Sequence, residues 1–177
     1  MFKLCQKFLI PVLFFLPALV LGHAQLLVGP APDDPDPGSF NSPIPREDRV
    51  RMKDILPCGG YRGDPPASVK GAPQSTYRNG QTIRVHWKET TDHTGVWRFD
   101  ISPDNEQSWH TILLLKDGVD EVEGVSDLSE EEPKYSWADI TLPAGLVCEN
   151  CTFRMTQSMG PMDDENDYYS CADITIQ

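Results

Sequence analysis

Apolar and polar positions alternate through the central part of the chain. Ile83, Val85 and Trp87 alternate with Arg84, His86 and Lys88, and Trp97, Phe99 and Ile101 alternate with Arg98 and Asp100. A period of two sends successive side chains to opposite faces, so both runs predict half-buried strands. On that phase His86 lies opposite Ile83 and Val85 and is expected at the surface. Further strands are predicted over 109–115, over 135–142 with Trp137 and Ile140 in the core, over 150–158 and over 170–176. A short first strand is predicted over 25–28. Asn79-Gly80 is a turn signal ahead of the first long strand. No long 3.6-residue period and no internal repeat is present. Six or seven short strands joined by long loops predict an all-β, antiparallel sandwich of immunoglobulin or fibronectin type.

The remaining stretches break this pattern. Residues 29–45 are rich in Pro, Asp and Gly and predict an irregular front loop. A mixed-charge, weakly apolar run predicts a short helix over 46–55, which Pro57-Cys58-Gly59-Gly60 ends, and loop continues to Gln74. Loops this long in a compact domain are usually functional or disordered. The acidic stretch 116–133, with Glu130-Glu131-Glu132, predicts a solvated excursion.

The amino terminus has a different character. Lys3 and Lys7 precede an almost wholly apolar run from Phe8 to Leu21, and Val20 and Gly22 are small enough for a cleavage site. Residues 1–22 are expected to be a removed signal peptide, leaving a single domain over 23–177 that is secreted, to the extracellular space or a periplasm. Cleavage after Gly22 makes His23 the first residue. Its α-amino group and imidazole together chelate a metal, and one further histidine completes a three-nitrogen set that suits Cu(II). Gly22-His23-Ala24 is also a small-x-small triplet, and cleavage there would leave Gln25 first and destroy such a site.

The chain carries 15 Lys and Arg against 27 Asp and Glu, a formal net charge of −12. An acidic surface repels phosphate backbones, which excludes nucleic acid as the expected partner. After signal removal no membrane association is expected. Cys58, Cys148, Cys151 and Cys171 remain, and an even count behind an export signal predicts two disulfides. Three pairings are open. The favoured one joins Cys148 to Cys151 as a local staple and Cys58 to Cys171 across the front loop and last strand. The Cys148-x-x-Cys151 spacing lacks the second ligand pair of a zinc site and the strand-to-helix setting of a thioredoxin-like motif.

Among the remaining histidines, His110 has no obvious partners. His93 differs, lying in a polar turn, Thr90-Thr91-Asp92-His93-Thr94-Gly95, ahead of an apolar strand. Tyr168 and Tyr169 should face opposite sides of the last strand. Met155 is expected in the core, and Met159 and Met162 in a Gly/Pro loop. Asn150-Cys151-Thr152 has the form of a glycosylation acceptor, to which a bridged Cys151 gives little weight.

Taken in order, these segments resemble the lytic polysaccharide monooxygenases. The segments are a signal ending before His23, Cys58-Gly59-Gly60, Asp92-His93-Thr94-Gly95-Val96-Trp97-Arg98-Phe99, Cys148-Glu149-Asn150-Cys151-Thr152-Phe153-Arg154, and Tyr168-Tyr169-Ser170-Cys171-Ala172-Asp173-Ile174. The resemblance implies one copper ion held by a histidine brace of His23 and His93, with Tyr168 in the axial position rather than Tyr169. It implies a monomer that oxidatively cleaves a polysaccharide, using an external electron donor with oxygen or hydrogen peroxide. Some branches place a Gln or Glu beside the copper; here Gln157 and Asn166 are the candidates. Tyr61, Trp97 and Trp109 are candidates for an aromatic substrate face. Two other readings stand beside this one. One is a non-catalytic copper carrier with the same brace, which Met159 and Met162 would suit. The other is a metal-free immunoglobulin-like binding module, which would follow if the mature chain begins at Gln25.

Overall fold

The fold is taken from a computed structural model, which describes residues 24–32, 34–46, 58, 69–89, 95–116, 134–159 and 167–177. The alternating runs form strands, as their period requires. In chain order these are β1 (Ala24–Leu26), β2 (Ser75–Tyr77), β3 (Thr82–Glu89), β4 (Val96–Ser102), β5 (His110–Lys116), β6 (Lys134–Thr141), β7 (Cys148–Ser158) and β8 (Tyr168–Ile176). They make a three-stranded sheet in the order β1-β3-β6 and a five-stranded sheet in the order β2-β8-β7-β4-β5. No α-helix occurs among the described residues; a single 3-10 turn spans Pro37–Ser39. The predicted helix over 46–55 and the acidic excursion over 117–133 lie outside the described residues beyond Arg46.

The two sheets face each other as a β-sandwich. Ile83, Val85 and Trp87 of β3 and Ile140 of β6 point inward, against Trp97, Phe99 and Ile101 of β4 and Phe153 and Met155 of β7. Trp87 packs on Trp97 at 5.5 Å and on Phe99 at 5.2 Å between ring centroids. Burial of such aromatic and branched side chains is the main favourable term in the fold.

Two disulfides join Cys58 to Cys171 and Cys148 to Cys151. The first pins the chain beyond the front loop to the middle of β8. The second sits in an irregularity of β7, where the register against β8 shifts between Cys148 and Cys151.

One strand was not anticipated and two local expectations are corrected. β2 does not emerge from the pattern, because it is only three residues long; it joins the sheet by pairing in parallel with β8. His86 is fully buried, not at the surface, because the front loop covers the outer face of the three-stranded sheet. Trp137, expected in the core beside Ile140, is on that same outer face, opposite His86 in the β3–β6 register and stacked on it at 6.1 Å. The loop also extends the sheet edge where β1 stops: Asn41 Oδ1 accepts the Arg84 N–H at 2.6 Å and Ser42 Oγ accepts the His86 N–H at 3.4 Å.

The topology gives the sandwich two distinct ends. At the near end lie Ala24, Glu89, Val96, Lys116, Lys134, Ser158 and Tyr168. The chain before β1 and the connections β3–β4, β5–β6 and β7–β8 all leave from there. The far end holds the connections β2–β3, β4–β5 and β6–β7.

Candidate functional site

The near end gathers the segments that the sequence nominates. Ala24, the residue after His23, pairs with Glu89, the last residue of β3. Glu89 and Gly95 bracket the segment that carries His93. Tyr168 opens β8 directly opposite Gln157, and Gln157 is opposite Trp97 on its other side. His23, His93 and Asn166 themselves lie outside the described residues, as do Tyr61 and Met162. Among the described residues no group of three or more His, Cys, Asp or Glu side chains is placed to hold a metal ion.

Gln157 faces inward, because it shares the face of Trp97 and Met155, and it is fully buried. Its side-chain nitrogen donates to the Glu89 carboxylate, which is only 4% exposed. This bond joins the two sheets. It also fixes the amide: the carboxylate accepts, so the NH2 group must face it and Oε1 must point elsewhere. Oε1 is buried and has no hydrogen-bond partner among the described residues. A buried acceptor without a partner is costly, and such groups concentrate at functional sites.

Tyr168 lies on the inward phase of β8 with Gln157. Tyr169 faces the opposite way, and the Arg154 guanidinium lies 5.7 Å from its ring. Between the two strands Ser158 Oγ donates to Asp167 Oδ1 at 2.6 Å, and both residues are buried. The tyrosines are thus held at the start of β8 by an anchored carboxylate.

Gly95 has a specific reason to be glycine. A Cβ there would overlap the Ser158 carbonyl oxygen and would lie 3.3 Å from Met159 Cα. The end of the His93 segment therefore runs against the end of β7 at a separation only glycine allows.

Two of the aromatic candidates do not form an exposed face. Trp97 is 4% exposed and stacked on Trp87 in the core. Trp109 precedes β5 at the far end, with the Arg154 guanidinium 3.8 Å above its ring. Met155 is buried in the core, as expected. The glycosylation-like triplet is engaged internally: Asn150 Nδ2 donates to the Gly71 carbonyl at 2.9 Å, and Thr152 is fully buried beside Arg46 and Lys70.

Glu89 was not singled out from the sequence, although a signal existed. It continues the inward phase of Ile83, Val85 and Trp87, so a carboxylate occupies a core position of the strand. Asp167 and Ser158 left no comparable trace.

The family model for lytic polysaccharide mono-oxygenase, cellulose-degrading, matches residues 39–174, and the chain belongs to this family of copper-dependent oxidative enzymes. Similar solved structures include lytic polysaccharide monooxygenase AA15 from Thermobia domestica in the Cu(I) state. It has 19% identity and a TM-score of 0.41, over 59% of this chain and 63% of that one. The cellulose active monooxygenase CelS2 in complex with copper has 18% identity and a TM-score of 0.43, over 58% and 53%. An AA10 monooxygenase from Streptomyces lividans has 17% identity and a TM-score of 0.42, over 58% and 59%. The chain thus spans less than two thirds of the length of each. No curated protein sequence matches significantly. No helix among the described residues is long and apolar enough to cross a membrane.

Proposed function

We propose that the mature chain begins at His23 and is a secreted, monomeric copper enzyme that oxidatively cleaves glycosidic bonds in a polysaccharide. The observation that carries this reading is the convergence at one end of the sandwich. There the chain start, the two flanks of the His93 segment and the first residue of β8 are brought together in a member of this family.

His23, through its amino group and imidazole, and His93, through its imidazole, would hold one copper ion. Copper bound there supplies one-electron chemistry with an external reductant and oxygen or peroxide. The donor set fits the surroundings: neutral nitrogens suit Cu(II), and the buried Gln157 Oε1 offers an acceptor that no described residue satisfies at the same end. Tyr168 would stand beside the metal, supported by its inward phase next to Gln157, whereas Tyr169 is on the outer face with Arg154. Glu89 would set the orientation of the Gln157 amide, and Gly95 would seat the His93 segment against β7. An ordinary α-amino group has a pKa near ~7.7, so proton competition should weaken copper binding as pH falls.

The test is to incubate the copper-loaded protein with ascorbate, peroxide and a panel of insoluble glycans including cellulose and chitin, and to analyse the soluble products by mass spectrometry. Oligosaccharides two hydrogens lighter than hydrolysis products, or their hydrates one oxygen heavier than hydrolysis products, are expected from at least one glycan and only with reductant. Copper binding without any oxidised product would leave a carrier in place of the enzyme.

A further inference from the structure

His86 is fully buried outside the proposed copper site, and both ring nitrogens face polar groups of the front loop. Nδ1 accepts the Ala31 N–H at 2.9 Å. Nε2 lies 3.1 Å from Asp34 Oδ2, and both side chains are completely covered. Phe40 meets the ring edge-on at 5.1 Å and Trp137 stacks on it at 6.1 Å. The His86 carbonyl accepts the Leu27 N–H at 2.9 Å, just past β1. One residue of β3 therefore fastens the chain directly after the first strand and again four residues further on.

The acceptor role of Nδ1 fixes the state of the ring. An imidazole that accepts at Nδ1 is neutral and carries its proton on Nε2, the nitrogen that lies beside Asp34 without hydrogen-bond geometry. A second proton can go only to Nδ1, and that nitrogen then becomes a donor facing the Ala31 N–H. Two donors cannot share this contact, so Ala31 must leave.

We propose that His86 is a positioning residue for the amino-terminal strand: neutral, it latches the front loop over β3, and protonated at Nδ1, it releases the loop from Ala31 onward. The charged and titratable groups around it come from each element packed there. Asp34 and Asp36 are on the loop, the Asp36 N–H donating to Asp34 Oδ1 at 2.8 Å. Arg84, 3.4 Å from Asp34, and Lys88 share its face of β3. Asp139 and Tyr135 lie on the same face of β6, and β1 has no charged residue. Nε2 carries a proton in either state, so the added proton changes the contact to Ala31 directly. The strand positioned in this way begins one residue after His23, but the latch holds whether or not a copper site exists there.

The experiment uses the metal-free mature protein, so its outcome is independent of copper. Amide hydrogen exchange is followed at Leu27 and Ala31 at about pH 7.5 and about pH 5, corrected for intrinsic rates. The His86→Gln variant serves as a control that can accept from Ala31 and donate to Asp34 without titrating. The wild type is expected to lose at least about tenfold protection at both amides in acid while β8 keeps its own; the variant is expected to lose none. An equal loss in the variant, or unchanged protection in the wild type, overturns the proposal. If the variant does not fold, the imidazole nitrogen resonances of the wild type decide. The His86 Nδ1 signal and the Ala31 amide signal must move together in one titration step, and an Nδ1 already protonated near pH 7.5 contradicts the latch.

Discussion

The two ends of the sandwich are closed by different chemistry. At the far end the turns satisfy themselves at the surface, while Glu106 of the β4–β5 connection is covered and paired with Arg46 at 2.6 Å. Asn79 donates its backbone and side-chain N–H groups to the Gln177 carbonyl at 2.9 and 3.3 Å and accepts the Gly145 N–H at 3.3 Å. Gly80 and Gly145 adopt φ of 70° and 82°, where an L side chain is strained. Asp104 accepts from Ser108 and Ser102, which holds its carboxyl down at about 2. At the near end the buried polar pairs are neutral-to-carboxylate bonds: Glu89 on Gln157 across the two sheets, and Ser158 on Asp167 between neighbouring strands. Buried polar pairs are costly to assemble and still more costly to leave half made. The near end differs in that a buried hydrogen bond there ties one sheet to the other, which supports the proposal that this end is the one shaped for chemistry.

The largest contrast should appear on removing a proposed ligand. His93→Ala should lower Cu(II) affinity by more than ~100-fold in calorimetry, with the metal-free melting temperature nearly unchanged. Glu89→Ala should act on both properties. It strands the buried Gln157 amide, costing about 1–3 kcal/mol in denaturant unfolding, and it should weaken copper binding by about tenfold or more. Gly95→Ala places a methyl group against the Ser158 carbonyl, so about 1–3 kcal/mol is expected, with copper affinity reduced. Gly80→Ala at the far end has room for its methyl group, 3.8 Å from Ala144 Cβ. It should cost only the φ strain, about 1–2 kcal/mol, and leave copper binding untouched. A Gly80 variant that weakened copper binding as much as the Gly95 variant would erase the contrast.

The smallest effect concerns acid. Two bonds from Arg84, at 2.8 and 3.0 Å, hold the Asp139 carboxyl below its usual range. A depressed folded pKa contributes stability that is present above the unfolded value of ~3.9 and is lost as pH falls through the lower folded value. Asp139 is half exposed, so Arg84→Met should remove under about 1 kcal/mol near neutrality and flatten that part of the acid limb in unfolding measured against pH.

The strands were legible where two-residue alternation ran for five residues or more, as in β3 and β4, because one inward face is enough to fix a strand's phase. Ser75–Tyr77 escaped because three residues cannot show a period and because its parallel partner, β8, lies far along the chain. Outward faces were legible only as polar, not as exposed. His86 sits under the front loop, and Arg98 and Arg154 converge on Asp100 at 3.0 and 2.7 Å beneath the surface. Residue type cannot show that a loop or a neighbouring carboxylate will cover a polar face. The pairing of Cys58 with Cys171 and of Cys148 with Cys151 was favoured from spacing, and both bonds are present. Within the candidate site, Tyr168 was nominated by motif order and Gln157 as an alternative to Asn166; the structure puts Tyr168 opposite Gln157 and leaves Asn166 outside the described residues. The Glu89 bond that fixes the amide needed the two sheets face to face.

The most direct test of the copper reading is the intact mass of the secreted protein, taken under native conditions with and without one equivalent of Cu(II). A chain beginning at His23 that retains one copper ion is the predicted result. A chain beginning at Gln25, or one beginning at His23 that holds no copper, would contradict it.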